Sequence, residues 1–390
     1  WAYTDKAHFL DMEGNIKLAL EYQTKSCEEQ KKDFKKVKIN HKKRNLIQCY
    51  FFLSGLLKDN NFLEKSLNVS TKAINIFNEF KNNNYEIDEL AGSKEFAYQL
   101  VHRARVYKDL FRYEESIKDY EQYIKIISIK DIHELASDDY LSALSEVEFI
   151  YSTRGDTKNE YKYLKLRYEI IQEYSKSNLN LQARINRDIG SHYQSTNQYD
   201  KAIYHFDLTL NFVKKSLKIN NSYANKKKLF LDKELALIGK LYSEQSIKQD
   251  LDQYKKVYSI MLSMNDELKL LDKSTAAYTI LDVYYGLIND YEQRNINLNN
   301  AKELVEKQIK EAKKIDSWTL EFFINDKRNL MFDEAWNDID LENFNNALKI
   351  ANELKSYETT DTGISEVKKK VDLKNLFGLI YSGQKKYKKA

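Results

Sequence analysis

A spacing that recurs along this chain constrains its fold more than any other feature. Within residues 186–212, small residues stand twelve positions apart at Gly190 and Ala202, with Tyr193, Tyr199 and Phe206 a helical turn from one or the other. Each small residue lies inside an apolar-periodic segment, and the polar run Ser195-Thr196-Asn197-Gln198 separates the two segments. Small residues at those places let two antiparallel helices approach closely while the aromatic rings fill the space beside the contact. The stretch therefore predicts one helical hairpin.

Copies of the hairpin run through the sequence. Ala7 recurs with Leu10, Gly14, Ile16 and Ala19, and Ala104 with Tyr107, Tyr113, Ser116 and Tyr120. Ala335 recurs with Phe344, Ala347 and Ala351, and Gly378 with Tyr381, Gly383, Tyr387 and Ala390. Glu148, Tyr151, Gly155 and Leu164 keep the spacing without the small residues, while Phe52, Leu56, Phe62 and Val69 keep only the apolar pattern. Gly239 and Tyr242 precede a longer turn before Tyr254, Val257 and Met261. Tyr285 and Ile288 precede an inserted turn, Arg294-Asn295-Ile296-Asn297, before Leu298, Ala301 and Val305. Gly190, Gly239 and Gly378 fall at the close-contact position. Gly14, Gly155 and Gly383 fall in the turn, where left-handed backbone favours Gly or Asn, and Asn197 takes that place in the central copy. The count comes to about nine units. Proline is absent and glycine scarce, so long helices joined by polar connections such as Lys81-Asn82-Asn83-Asn84 and Asn220-Asn221-Ser222 are expected.

These hairpins resemble tetratricopeptide repeats, whose small–aromatic–small pattern runs over roughly 34 residues. The match is specific in the Ala104, Gly190 and Gly378 copies and loose over the rest. Its period departs from the family's, since Glu148, Gly190 and Gly239 lie 42 and 49 residues apart. Second helices or connections must be correspondingly longer. Extended arrays of this kind are similar to the sensor arrays of bacterial signalling proteins and to peptide-binding regulators of the Rap type. The resemblance implies an all-α fold: an α-solenoid of hairpins forming a right-handed superhelix, as a single array over residues 1–390. It further implies a protein- or peptide-binding regulatory or sensor module that acts through a domain outside this chain. A structural adaptor that organises a multiprotein complex is the alternative.

Within such an array the first helix of each hairpin lines the concave surface. Residues three before, one after and four after the reference position share one stripe of that helix. The stripe holds Arg187, Ser191 and Gln194 in the central copy, with Arg184 one turn earlier. It holds Arg105 and Lys108 in the Ala104 copy, Lys240 in the Gly239 copy and Phe149 in the Glu148 copy. A basic, partly aromatic groove of this composition suits a protein or peptide segment that is acidic or ends in a carboxylate.

Other functions find little footing. Lys and Arg number 63 against 59 Asp and Glu, a net charge of +4 that falls short of a nucleic-acid-binding face. The strongest basic run, Lys31 to Arg44, has Glu28, Glu29 and Asp33 interleaved at its start and reads as a solvated face. His8, His41, His102, His133, His192 and His205 form no metal-ligand spacing, and no phosphate loop, nucleophile elbow or Cys-x-x-Cys occurs. No enzyme, cofactor or metal site is expected. Cys27 and Cys49 read as two semi-buried helix thiols. The longest uncharged apolar run, Leu46 to Leu57, is shorter than the roughly 20 residues a membrane-spanning helix needs. No compartment follows from the sequence; cytoplasmic and extracytoplasmic settings both stay open. Because the Gly378 copy stops at Ala390, early in its second helix, the last hairpin is expected to be truncated, with the apolar side of Leu376, Phe377 and Ile380 uncovered.

Overall fold

A computed structural model of the chain describes residues 2–13, 15–36, 40–81, 89–130, 138–315, 317–357 and 364–384. Among the described residues there are helices and connections and no strand. The helices form two compact units, Trp1–Ser177 and Asn178–Ala390.

The first unit contains α1 (Ala2–Met12), α2 (Ile16–Lys36), α3 (Asn40–Asp59), α4 (Leu63–Lys81), α5 (Glu89–Asp109), α6 (Tyr113–Lys130), α7 (Asp138–Thr153) and α8 (Thr157–Tyr174). The second contains α9 (Leu179–Ser195), α10 (Tyr199–Ile219), α11 (Tyr223–Ile247), α12 (Asp252–Asp266), a 3₁₀ turn (Leu270–Asp272), α13 (Ala276–Leu287), α14 (Tyr291–Ala312), α15 (Ser317–Asp340), α16 (Phe344–Ser356) and α17 (Ile364–Gly383). Consecutive helices pair into hairpins from α1–α2 to α15–α16, and α17 packs against α16.

The expected close contact is present. Ala7, Ala19, Ala104, Ser116, Ala202, Ala335 and Ala347 are fully buried where paired helices meet. The third and fourth helices obey the same spacing through Ser54 and Ser66, a small pair that the apolar pattern around Phe52 and Leu56 conceals. Ser66 Oγ donates to the Ser54 carbonyl at 2.7 Å, and Ser116 Oγ donates to the Ala104 carbonyl at the same distance. A hydroxyl at this place therefore stays small and still satisfies its polar group inside the contact.

One turn joins most hairpins. The residue seven positions after the reference takes a left-handed backbone, with φ between 56° and 71° at Asn61, Phe111, Gly155, Asn197, Asn289 and Glu342. The next amide reaches back to the first helix: Gln198 N donates to the Tyr193 carbonyl at 2.8 Å, and Asp156 N to the Tyr151 carbonyl at 2.9 Å. Such bonds satisfy carbonyls that a helix end leaves orphaned. Side-chain caps open α8, α9, α11 and α14 at Asp156, Asn178, Ser222 and Asp290.

Several sequence expectations need correction. Arg294-Asn295-Ile296-Asn297 is no inserted turn but lies inside α14. The reference position of that hairpin is Asp282, with Asn289 in the turn and Arg294 twelve positions on. Arg294 grips the Asp282 carboxylate with two nitrogens, at 2.9 and 3.2 Å, so an ion pair stands where the hairpins α1–α2, α3–α4, α5–α6, α9–α10 and α15–α16 have two small residues. Gly383 is no turn glycine: it ends α17, and an added Cβ would stand 2.2 Å from the Phe344 ring. Gly378, expected at the close contact, is only half-buried. Cys27 and Cys49 are not free thiols but form a disulfide between α2 and α3, both cysteines fully buried.

Some expectations lie outside the described residues: the connection at 82–84, Gly14, the side chains of 34–44 in the basic run, and Tyr387 and Ala390 of the last copy.

Candidate functional site

The expected stripe residues fall on first helices, and each unit holds its own group. In the first unit Arg105 and Lys108 stand on α5 and Phe149 on α7. Lys108 Nζ lies 2.6 Å from Glu146 Oε2 and 5.7 Å from the centre of the Phe149 ring, which is itself 56% exposed. Lys108 and Phe149 thus come together, with the lysine already holding a carboxylate one hairpin on. Arg105 is half-buried and forms no ion pair among the described residues. It contributes, with Lys58, to holding His102 neutral: burial above all, then these two cations, push the His102 imidazole down to about 4.

In the second unit Arg184, Arg187, Ser191 and Gln194 stand on α9 and Lys240 on α11. Arg187 bonds Asp188 through Nε and Nη2, at 2.9 and 2.6 Å, and Asp232 of α11 through Nη1. Burial raises the Asp232 carboxyl above its ordinary range, with Arg187 and Arg184 pulling the other way. Gln194 Nε2 donates to the Gly239 carbonyl at 3.2 Å. Lys240 Nζ lies 2.6 Å from Asp207 and 3.7 Å from Glu244. Burial alone would lower the Lys240 ammonium, but these carboxylates outweigh it and hold it above the lysine range. Arg184 and Ser191 remain exposed.

Three of the five cations expected in the groove are therefore committed within the chain. Lys108–Glu146, Arg187–Asp232 and Gln194–Gly239 each link one first helix to the next, so these residues brace successive hairpins. Further on, Arg294 of the second helix α14 reaches Asp340 of α15 at 3.2 Å and so also joins its hairpin to the next. Partly buried ion pairs of this kind add little net stability once desolvation is counted, but losing one partner strands the other and is costly.

An opening the sequence does not announce lies nearby in the second unit. Helix α13 has 12 residues where α11 has 25 and α15 has 24. The segment carrying the 3₁₀ turn stands in place of its missing first turns. A cavity of about 1060 Å³ opens there, lined in part by Leu231 of α11 and Phe322 of α15, which are 56% and 54% exposed. Glu234 also borders it; burial raises its carboxyl, which accepts from Ser274 Oγ at 3.1 Å. The repeat spacing gives no sign of this opening; the short α13 that follows Leu270-Leu271-Asp272 makes it visible.

Among the described residues no group of three metal-ligating side chains occurs, and no helix is long and apolar enough to cross a membrane.

No family model matches the chain, and no curated relative does. Solved structures do. A signal-transduction ATPase with numerous domains from Pyrococcus horikoshii, which carries a tetratricopeptide-repeat sensor, is 14% identical; the match covers 83% of this chain and 44% of that one, with a TM-score of 0.51. A tetratricopeptide repeat protein from Parabacteroides merdae is 11% identical over 83% of this chain and 98% of that one, at a TM-score of 0.46. The apo form of RapI is 14% identical over 78% and 98%, at 0.47. The fold is that of tetratricopeptide-repeat proteins.

Proposed function

We propose that this tetratricopeptide-type stack of hairpins is a protein- or peptide-binding module with a regulatory or sensing role, acting through a domain outside this chain. The observation that carries the reading is the cavity at α11, α13 and α15. Large apolar side chains on first helices, Leu231 and Phe322, stand open to solvent beside it. Exposed apolar walls in a concavity mark a binding site more often than a bare surface does. The sensor array of the Pyrococcus horikoshii ATPase, alike in fold, is in keeping with this role.

The bound segment is proposed to be acidic or to end in a carboxylate. In the second unit that part rests on Arg184, exposed and without an ion pair among the described residues. Lys108, Arg187 and Lys240 would have to exchange a carboxylate they already hold, which reduces what each contributes.

A peptide library selected on the full chain tests the module. Peptides enriched on the native protein should lose at least tenfold in affinity to Leu231→Asp with Phe322→Asp, at unchanged melting temperature. Arg184→Ala should weaken acidic peptides selectively and flatten their salt dependence. A selection that yields no binder, or binders indifferent to both surface substitutions, overturns the reading.

A further inference from the structure

A second concavity of about 720 Å³ lies among α10, α11 and α12. Its walls include Leu217, Leu237 and Ile260, and three lysines border it: Lys214, Lys218 and Lys233. None of its lining residues is acidic. Lys214 and Lys218 are exposed and Lys233 is half-buried.

Several other cations of the unit are neutralised within the chain. Lys226, Arg187, Lys240 and Arg294 each hold a carboxylate. Lys214, Lys218 and Lys233 form no ion pair among the described residues. The carboxylate nearest in effect to Lys233, Glu267, is occupied by Lys226 at 2.6 Å. Lys233 Nζ instead lies 5.6 Å from the centre of the Phe230 ring. Burial pulls its ammonium below the ordinary lysine range, against the weaker influence of Glu267. An ammonium half removed from water with no counter-charge is costly unless something supplies one.

We propose that this groove binds an aliphatic carboxylate, a fatty-acid-like anion whose head meets Lys233 and whose chain lies along Leu217, Leu237 and Ile260. Charge complementarity selects an anion, since three cations face no acid. The walls select an alkyl body. Apart from the lysines, the only polar side chain there is Asn221. A peptide would bury amides without partners, whereas an alkyl chain has none to satisfy. A bare inorganic anion would leave the aliphatic walls unused. The volume falls within the range of small-molecule sites. The site shares no residue with the cavity at Leu231 and Phe322, so it stands or falls independently of the protein-binding reading.

Calorimetric titration of the full chain with sodium decanoate, below its micelle-forming concentration, tests the assignment. Decylamine reverses the charge and 1-decanol removes it on the same chain. Decanoate should bind about tenfold more tightly than decanol, and decylamine should not bind measurably. Lys233→Met keeps the apolar stem and should bring decanoate down to the decanol level at an unchanged melting temperature. If that variant shifts the melt, the exposed pair Lys214→Gln with Lys218→Gln serves instead and should weaken decanoate several-fold. Absence of decanoate binding, equal binding of decylamine, or lysine variants that bind decanoate as the native chain does would overturn the proposal. So would a leucine-terminated peptide with a free carboxylate that displaces decanoate at lower concentration, which would assign the groove to a peptide end.

Discussion

Phe206 lies fully buried between Gly190 of α9 and Gly239 of α11, and a Cβ on Gly239 would stand 2.3 Å from its ring. The ring cannot retreat, because a Cβ on Gly190 would meet its other side at 2.7 Å. Gly239→Ala should therefore cost about 2–3 kcal/mol in an overpacked contact, and adding Phe206→Leu should recover much of it; denaturant titration of the three variants checks both. Glu342 holds a left-handed backbone, φ 59°, without being Gly or Asn. Glu342→Gly should stabilise by about 0.5–1 kcal/mol, the left-handed strain relieved less the added freedom of the unfolded chain. His102 offers a pH test. Its Nε2 is 2.7 Å from Ser54 Oγ, and it is held at about 4 mainly by burial. Its pKa is lower folded than unfolded, so the unfolded chain binds more protons between about 6.5 and 4. Stability is then full above that window and falls as pH drops through it, by roughly 3 kcal/mol at most. His102→Gln should flatten this slope, and a native chain whose melting temperature is level from pH 7 to 4 would contradict the assignment. At this scale the glycines at 190 and 239 were legible because nothing larger fits their place. Ser54 and Ser66 were not, because serine is equally at home on a helix surface; only the hydroxyl–carbonyl bond across the hairpin reveals their role.

A hairpin is the element that the amino-acid pattern describes best. Its helices follow from local periodicity, and its turn needs only one residue tolerant of positive φ, which Asn61, Gly155, Asn197 and Asn289 supply. The α13–α14 hairpin escaped because its contact is built from Asp282 and Arg294, so a search for small residues slides to the wrong register. Arg294→Ala should be costly there. It strands the Asp282 carboxylate, which is nearly buried, and removes the cation that opposes the burial pushing Asp333 up to about 6. Between hairpins, the Cys27–Cys49 disulfide ties α2 to α3 across 22 residues of sequence. Two cysteines on different helices give no sign of facing one another until helix length and packing register are known. Closing a loop of this size is worth about 3 kcal/mol in the chain-entropy model. Reductant should accordingly lower the melting temperature of the first unit, with no effect on the second. An unchanged melt in reductant would mean the two sulfurs are not linked.

Across the whole molecule the repeat was easier to read than its surface, for a physical reason. Helix formation and hairpin closure depend on residues within about one repeat of each other. Whether Arg187 faces a ligand or Asp232, 45 positions on, depends on how one hairpin sits on the next, which no local pattern records. The same nearest-neighbour logic yields a prediction about the second unit. Residues 178–384 begin with a cap, Asn178 Oδ1 accepting from the Leu181 amide at 3.2 Å, so α9 has its own start. They contain the Gly190–Phe206–Gly239 contact and the buried cluster around Tyr254, Met261, Ile280 and Tyr284. Expressed alone, this segment should be helical by circular dichroism and melt cooperatively. Because energies in such an array are set mainly by adjacent hairpins, Gly239→Ala should destabilise the fragment and the full chain by the same amount, within about 0.5 kcal/mol. A fragment that is unfolded, or that tolerates Gly239→Ala while the full chain does not, would show that the second unit depends on residues outside it.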